Sequence, residues 1–129
     1  MRLLVDTHVL LWAVAEPERI PRPFRERIES PDNDVYFSAA SIWELAIKMQ
    51  AGRIELPVGI EEITQAAVDM GFLELPVSAA HASGTAHLPL HHRDPFDRLL
   101  VAQALHEPFR LFTVDQTLGE YSDLVEVIA

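Results

Sequence analysis

Asp6, Glu44, Asp97 and Asp115 are spread along almost the whole 129-residue chain. Each stands where a hydrophobic strand gives way to a helix, or on one face of a helix. Carboxylates so distant in sequence have one obvious reason to meet, which is to hold a hard divalent cation jointly. Magnesium and manganese favour carboxylate oxygens and retained waters, and several acids brought to one point without a cation would repel and raise their own pKa values. The chain has no cysteine, which excludes thiol catalysis, disulfides and zinc–thiolate sites. Any metal is therefore held by oxygen or imidazole.

Taken singly, each acid has a plainer explanation. Asp6 can cap the helix after it, and Asp115 can cap the turn at Gln116 to Gly119. Asp94 suits an N-cap because Pro95 follows, which puts Asp97 in a first turn where the helix dipole favours negative charge. Glu44 can pair with Lys48 one turn later on an exposed helix face. The joint pattern is what favours a metal site.

The elements that must position these acids show in the hydrophobic runs. Leu3 to Val5 read as a buried strand feeding, through Asp6, a helix that contains Val9 to Val14. Pro17, Pro21 and Pro23 interrupt the pattern before a charge-rich helix over Phe24 to Ile28. Val35 to Phe37 form a second strand, and Ser38 caps a helix from Ala39 to about Ala51 with Gly52 as its stop. That helix is expected to bury Ile42, Leu45, Ala46 and Met49 and to carry Ser41, Glu44 and Lys48 on another face. Ile54 to Leu56 is a short extended piece. Ile60, Ile63, Ala67 and Met70 fall at helical spacing, closed by Gly71. Phe72 to Leu75 suggest a third strand, and Ser78 to Ala86 a short helix. After a loop carrying His91 and His92, Pro95 opens a helix through Leu105. Leu111 to Val114 form a strand entering Asp115, and Leu124 to Ile128 the last strand.

Alternating strands and helices imply an α/β fold, with a mostly parallel twisted sheet covered by helices on both faces and one domain over residues 1–129. Ligands of such sheets bind outside the carboxyl ends of the strands. Asp6, Asp97 and Asp115 are expected to converge there.

Composition agrees with a globular chain: 49% of residues are hydrophobic and 23% charged, without the signature of disorder. The longest apolar stretches are far short of the roughly 20 residues needed to span a bilayer, and the N-terminus does not have the pattern of a signal peptide. A cytoplasmic protein with no membrane association is expected. The formal charge of −10 argues against the simplest nucleic-acid binder, which shows a basic patch. Bound divalent ions would reverse the field where a phosphate must sit, and the remaining acidic surface suits a basic partner.

Four stretches carry a resemblance. They are Leu3-Leu4-Val5-Asp6-Thr7-His8 with Leu10-Leu11-Trp12; Ser41-Ile42-Trp43-Glu44-Leu45-Ala46-Ile47-Lys48 with Gly52 and Leu56; His92-Arg93-Asp94-Pro95-Phe96-Asp97-Arg98-Leu99-Leu100 through Ala102-Gln103-Ala104; and Thr113-Val114-Asp115. In this order and spacing the chain resembles PIN-domain ribonucleases, and within them the VapC-type toxins of prokaryotic toxin–antitoxin pairs. The resemblance implies a PIN-like fold and puts Asp6, Glu44, Asp97 and Asp115 at the family's acidic site, with Asp6, Asp97 and Asp115 as metal ligands. Glu44 is either a ligand or an orienter of the attacking water. Asp94 is an additional acid that capping explains well, and Thr113 is a supporting hydroxyl for Asp115, as Thr7 is for the loop at Asp6. His8 stands where many relatives have asparagine.

The implied activity is metal-dependent endoribonuclease cleavage, leaving a 5′-phosphate and a 3′-hydroxyl. One or two Mg2+ or Mn2+ ions would polarise the scissile phosphate and activate water. Arg93, Arg98 and Lys48 are candidates for touching substrate phosphates, although a solvated surface charge or an ion pair explains each more simply. His91 and His92 are given no ligand role, and Trp12, Trp43 and Phe96 are expected in the core or at an interface. The resemblance also implies a VapB-type antitoxin partner whose C-terminal segment lies over the active-site groove. A homodimer is implied too, with apolar residues of the first helices as candidates for that contact.

Other readings fit less well. A phosphoacceptor receiver domain needs a lysine near the end of a late strand, and the only lysine is Lys48. The two-aspartate motif of haloacid-dehalogenase-type phosphatases is missing, since His8 stands two residues after Asp6. A degenerate PIN fold serving as an acidic interaction module is the non-enzymatic alternative, and metal-dependent turnover would exclude it.

Overall fold

Leu3, Leu4 and Val5 have no exposed surface, the mark of a strand covered on both faces rather than one. In the structure, a computed structural model describing residues 1–128, they belong to β1 (Arg2–Val5), the central strand of a five-stranded sheet. The others are β2 (Asp34–Ser38), β3 (Leu73–Leu75), β4 (Arg110–Thr113) and β5 (Val125–Val127). Their order is β3-β2-β1-β4-β5 and every pairing is parallel. Six helices intervene: α1 (Thr7–Ala15), α2 (Arg22–Glu29), α3 (Ala39–Gln50), α4 (Ile60–Asp69), α5 (Ala79–Gly84) and α6 (Pro95–His106). The alternating strands and helices expected from sequence are all present, and the segment Ile54 to Leu56 joins no sheet.

Two cores form because successive residues of a strand point to opposite faces. Leu3 and Val5 pack with Val9 and Leu10 of α1, Ile28 of α2 and Ala67 of α4. Leu4 points the other way, to Leu100, Val101 and Ala104 of α6. Gly71, with φ of +93°, takes the left-handed conformation that ends α4 and starts the run into β3.

The order of the strands determines where a ligand can sit. From β1 the chain builds outward through β2 and β3 on one side and through β4 and β5 on the other, so the two halves diverge between β1 and β4. Parallel sheets leave a crevice at such a point, at the carboxyl ends of the strands. The register sets Val5 beside Phe112, which brings Asp6 next to Thr113.

A candidate metal centre

Asp6 caps α1 and also faces the crevice. Its Oδ1 accepts the Val9 N–H at 2.8 Å, while Oδ2 accepts the Thr113 hydroxyl at 2.6 Å and the Val114 N–H at 3.2 Å. The residue is 3% exposed. Burial pushes its pKa up, and these hydrogen bonds offset only part of that rise. The capping role and a place in the site therefore coincide in one side chain.

Glu44 arrives from α3. Ser38 starts this helix by accepting the Ala40 N–H at 3.0 Å. The buried face consists of Ala40, Ser41, Glu44 and Leu45, whereas Met49 is exposed. The expected apolar stripe thus needs correcting: α3 turns its acid inward, because Thr7 at the start of α1 lies against it. Thr7 Oγ1 stands 2.7 Å from Glu44 Oε1, to which it donates, and 3.0 Å from Ser41 Oγ. Thr7 therefore steadies Glu44 rather than the loop at Asp6. The Lys48 ammonium pairs with Glu44 Oε2, so Lys48 lies against an acid of the cluster.

Asp94 and Asp97 open α6. Asp94 Oδ1 accepts the N–H groups of Phe96 at 2.8 Å and Asp97 at 3.2 Å, and Pro95 takes the first helical position. Capping explains Asp94, as the sequence suggested. The Asp97 carboxylate receives no hydrogen bond from the described residues. Its pKa is raised from 3.8 to about 7, first by burial and then by the charges of Asp94, Glu44 and Asp6.

β4 supplies Thr113 and, just beyond it, Asp115. The Thr113 hydroxyl donates to Asp6 and accepts the Asp115 N–H at 3.0 Å, so its support reaches Asp115 through the backbone only. Asp115 Oδ1 accepts the Thr117 N–H at 2.9 Å, and Oδ2 lies 2.7 Å from His92 Nε2. Burial acts to raise the Asp115 pKa, but the His92 and Thr117 contacts outweigh it and leave it lowered. Thr113→Val removes the hydroxyl from two buried or partly buried partners, and is expected to cost about 1–3 kcal/mol of stability. Urea unfolding measures this, and an unchanged midpoint would contradict the role.

All five carboxylates, with His8 and Lys48, line a cleft of about 390 Å3. The structure thus brings together Asp6, Glu44, Asp94, Asp97 and Asp115. Arg98 points away: it donates to the carbonyls of Thr85 at 2.8 Å, Pro89 at 3.3 Å and His92 at 3.4 Å. Arg93 is exposed and makes no ion pair among the described residues. Sequence reasoning missed His92, which it left without a role. The available signal was its place two residues before the α6 cap, in the loop that must enter the same crevice.

The donor set fits a hard divalent cation. It is rich in carboxylates, it leaves Asp97 without a donor, and its mutual repulsion is large enough to move that residue's pKa by burial and like charge together. A second group, His81, His106 and Glu107, has ligand atoms within 4.8 Å of one another. There the Ser78 N–H donates to His81 Nδ1 at 3.0 Å, which puts the ring proton on Nε2, 2.8 Å from Glu107. That proton occupies the position a metal would need, and the group serves as a clasp between the start of α5 and the end of α6.

Trp43 is 61% exposed and packs edge-on against Phe96 at 5.3 Å. Beside the cleft a second groove of about 520 Å3 is lined by Leu11, Trp12, Ala15, Leu56 and Pro57, and His8 borders both. No helix among the described residues is long and apolar enough to cross a membrane.

The sequence profile of the PIN domain matches residues 3–124. Ribonuclease VapC22 of Mycobacterium tuberculosis is 32% identical over 120 residues, covering 92% of this chain and 91% of that protein. Among solved structures, that of VapBC2 from Rickettsia felis bound to a DNA fragment from its promoter aligns with a TM-score of 0.69 at 15% identity, over 98% of both chains. The structure of FitAB bound to the IR36 DNA fragment aligns with a TM-score of 0.64 at 17% identity, over 96% of this chain and 93% of that one. At these identities the two structures speak for the fold alone.

Proposed function

The chain belongs to the PIN domain family, and from that premise we propose that it is a metal-dependent endoribonuclease, the toxin of a VapBC-type toxin–antitoxin pair. The observation that carries this reading is the convergence of Asp6, Glu44, Asp97 and Asp115 at the carboxyl ends of β1 and β4, together with a relative of 32% identity named as a ribonuclease.

Asp6, Asp97 and Asp115 are assigned as the residues that hold Mg2+ or Mn2+. When bound, the cation supplies Lewis-acid stabilisation of the phosphate and of the departing oxygen. The residues of the chain prepare for it. Thr113 and the Val114 N–H hold one oxygen of Asp6 while Val9 holds the other. Asp97 stays free of donors and faces its acidic neighbours. Glu44, steadied by Thr7 and Lys48, is placed to orient a water or to add a ligand. No side-chain nucleophile is needed.

The substrate is RNA. Cleavage of a mixed small-RNA pool by the purified chain is expected with Mg2+ or Mn2+ and is expected to stop with EDTA; cutting that persists in EDTA would contradict the reading. Arg93 is exposed beside the site and makes neither an ion pair nor a side-chain hydrogen bond among the described residues, whereas Arg98 is held by carbonyls, and Arg93 is assigned to a substrate phosphate. Arg93→Ala should raise KM by about three- to tenfold with kcat little changed. A loss confined to kcat would remove Arg93 from phosphate binding.

The partner is a VapB-type antitoxin. The groove of Leu11, Trp12 and Leu56, edged by Glu16, Arg19 and Glu55, meets the acidic cleft at His8, which suits a segment with apolar residues ahead of a basic one. Such a segment also complements the net charge of −10. For the proposed homodimer, Val9, Leu10 and Ala13 of the first helix are buried in the core, which leaves its half-buried Leu11 and Trp12, with the exposed Trp43 and Ile47 of α3, as apolar residues for that contact. A cytoplasmic location follows from this reading.

A further inference from the structure

We propose that His92 is a positioning residue of this metal site: its Nε2–H donates to Asp115 and sets that carboxylate, and the ring is not itself a metal ligand. The inference rests on the reading of the carboxylates as a metal centre. By distance alone His92, Asp97 and Asp115 qualify as three ligands, since one nitrogen or oxygen of each lies within 4.8 Å of the others. The location of the ring proton decides otherwise.

A neutral imidazole has one N–H and one lone pair. The Asp94 N–H donates to His92 Nδ1 at 3.0 Å, which uses the lone pair and puts the proton on Nε2. That nitrogen faces Asp115 Oδ2 at 2.7 Å and Asp97 Oδ2 at 3.6 Å. A nitrogen carrying a proton cannot ligate, but it is well placed to donate to Asp115.

The rest of His92 is held just as firmly. Its N–H donates to the Tyr121 hydroxyl at 3.0 Å, and its carbonyl accepts from Arg98 at 3.4 Å. Arg98 ties the same loop at Thr85 and Pro89. Both backbone groups and both ring nitrogens of His92 thus have partners. The benefit goes to Asp115, whose side chain is 33% exposed and would otherwise be held only by Thr117. With a donor on each oxygen the carboxylate is fixed in orientation, and each oxygen keeps a lone pair toward the cleft.

A ligand role would require Nε2 to lose its proton and Nδ1 to gain one. The Asp94 N–H would then lose its acceptor at the entry to α6. Partners that orient carboxylate ligands in this way commonly change metal affinity by ten- to a hundredfold when removed.

Two measurements on the intact chain test this, and neither needs RNA. The first is long-range 15N–1H correlation on histidine-labelled protein with and without Mg2+, with the His92 signals assigned by their loss in His92→Gln. The Nε2–H tautomer is expected in both states, and a switch to Nδ1–H on adding Mg2+ would overturn the proposal. The second is Mn2+ binding followed by electron paramagnetic resonance. His92→Ala is expected to bind about tenfold more weakly at an unchanged fold, and His92→Gln, which keeps an N–H donor, is expected to recover most of that loss. Equal affinity of His92→Ala and wild type would overturn the role of His92 alone. A wild-type chain that binds no Mn2+ would overturn the metal centre and this inference with it. A chain that binds Mn2+ but cuts no RNA would leave the positioning role intact and count only against the nuclease.

Discussion

Asp97→Asn is expected to make the metal-free protein more stable while removing its activity. In the folded chain Asp97 is pushed from 3.8 to about 7 by burial and by Asp94, Glu44 and Asp6, so the native state binds its proton more tightly than the unfolded chain does. Stability from this group is therefore fully present below pH 4, declines as pH rises toward about 7, and levels off above that. Asparagine is never charged, so the advantage of the variant should grow over the same window and reach its plateau above pH 7. The gap between 3.8 and about 7 sets a ceiling of roughly 4 kcal/mol. Because four acids share the repulsion and relax together, about 1–3 kcal/mol is the expected gain. Chemical denaturation of both proteins in EDTA at pH 5 and pH 8 measures it, and a variant less stable at pH 8 would contradict the crowding of these carboxylates.

Adding Mn2+ should reverse the ranking. A ligand that binds only the native state stabilises it by mass action, and the wild type should gain far more than the variant because it retains the carboxylate that lacks any other partner. RNA cleavage should fall in the variant by on the order of a hundred- to a thousandfold. A gain in stability paired with a loss of activity separates a functional acid from a structural one.

Lys48→Met is the second large effect. Lys48 pairs with Glu44, whose side chain is 4% exposed and whose other oxygen is already taken by Thr7. Removing the ammonium leaves a buried carboxylate beside other acids without its cation, which is expected to cost about 2–4 kcal/mol. Adding Glu44→Gln to Lys48→Met should restore most of that loss, since the charge that needed pairing is gone. If Lys48 served the substrate alone, the single variant would unfold at the wild-type denaturant concentration and show only a higher KM.

Much of this was legible in the residues. Leu3 to Val5 followed by Asp6, and Leu111 to Val114 followed by Asp115, announce buried strands ending in acids, and parallel sheets bind ligands there. Asp94-Pro95 marked the start of α6 and so placed Asp97. The inward face of α3 was not legible, because helical periodicity counts apolar residues and cannot show that Thr7 is waiting to receive Glu44. His92 was hidden for a related reason. Its role depends on the Asp94 N–H, Tyr121 and Arg98 fixing one loop from separate parts of the chain, and nothing local to two adjacent histidines distinguishes the one that turns inward. Arg98 looked like a phosphate contact because it adjoins the acids in sequence, yet one helical turn sends its guanidinium to the loop carbonyls.

The most direct test of the central claim is single-turnover cleavage of one short RNA by wild type and Asp97→Asn, purified identically, over a Mn2+ titration. The proposed site predicts wild-type cutting that rises with Mn2+ to saturation and is abolished by EDTA, with the variant at least about a hundredfold slower at every concentration. Equal rates for the two proteins, or cutting indifferent to the metal, would contradict it.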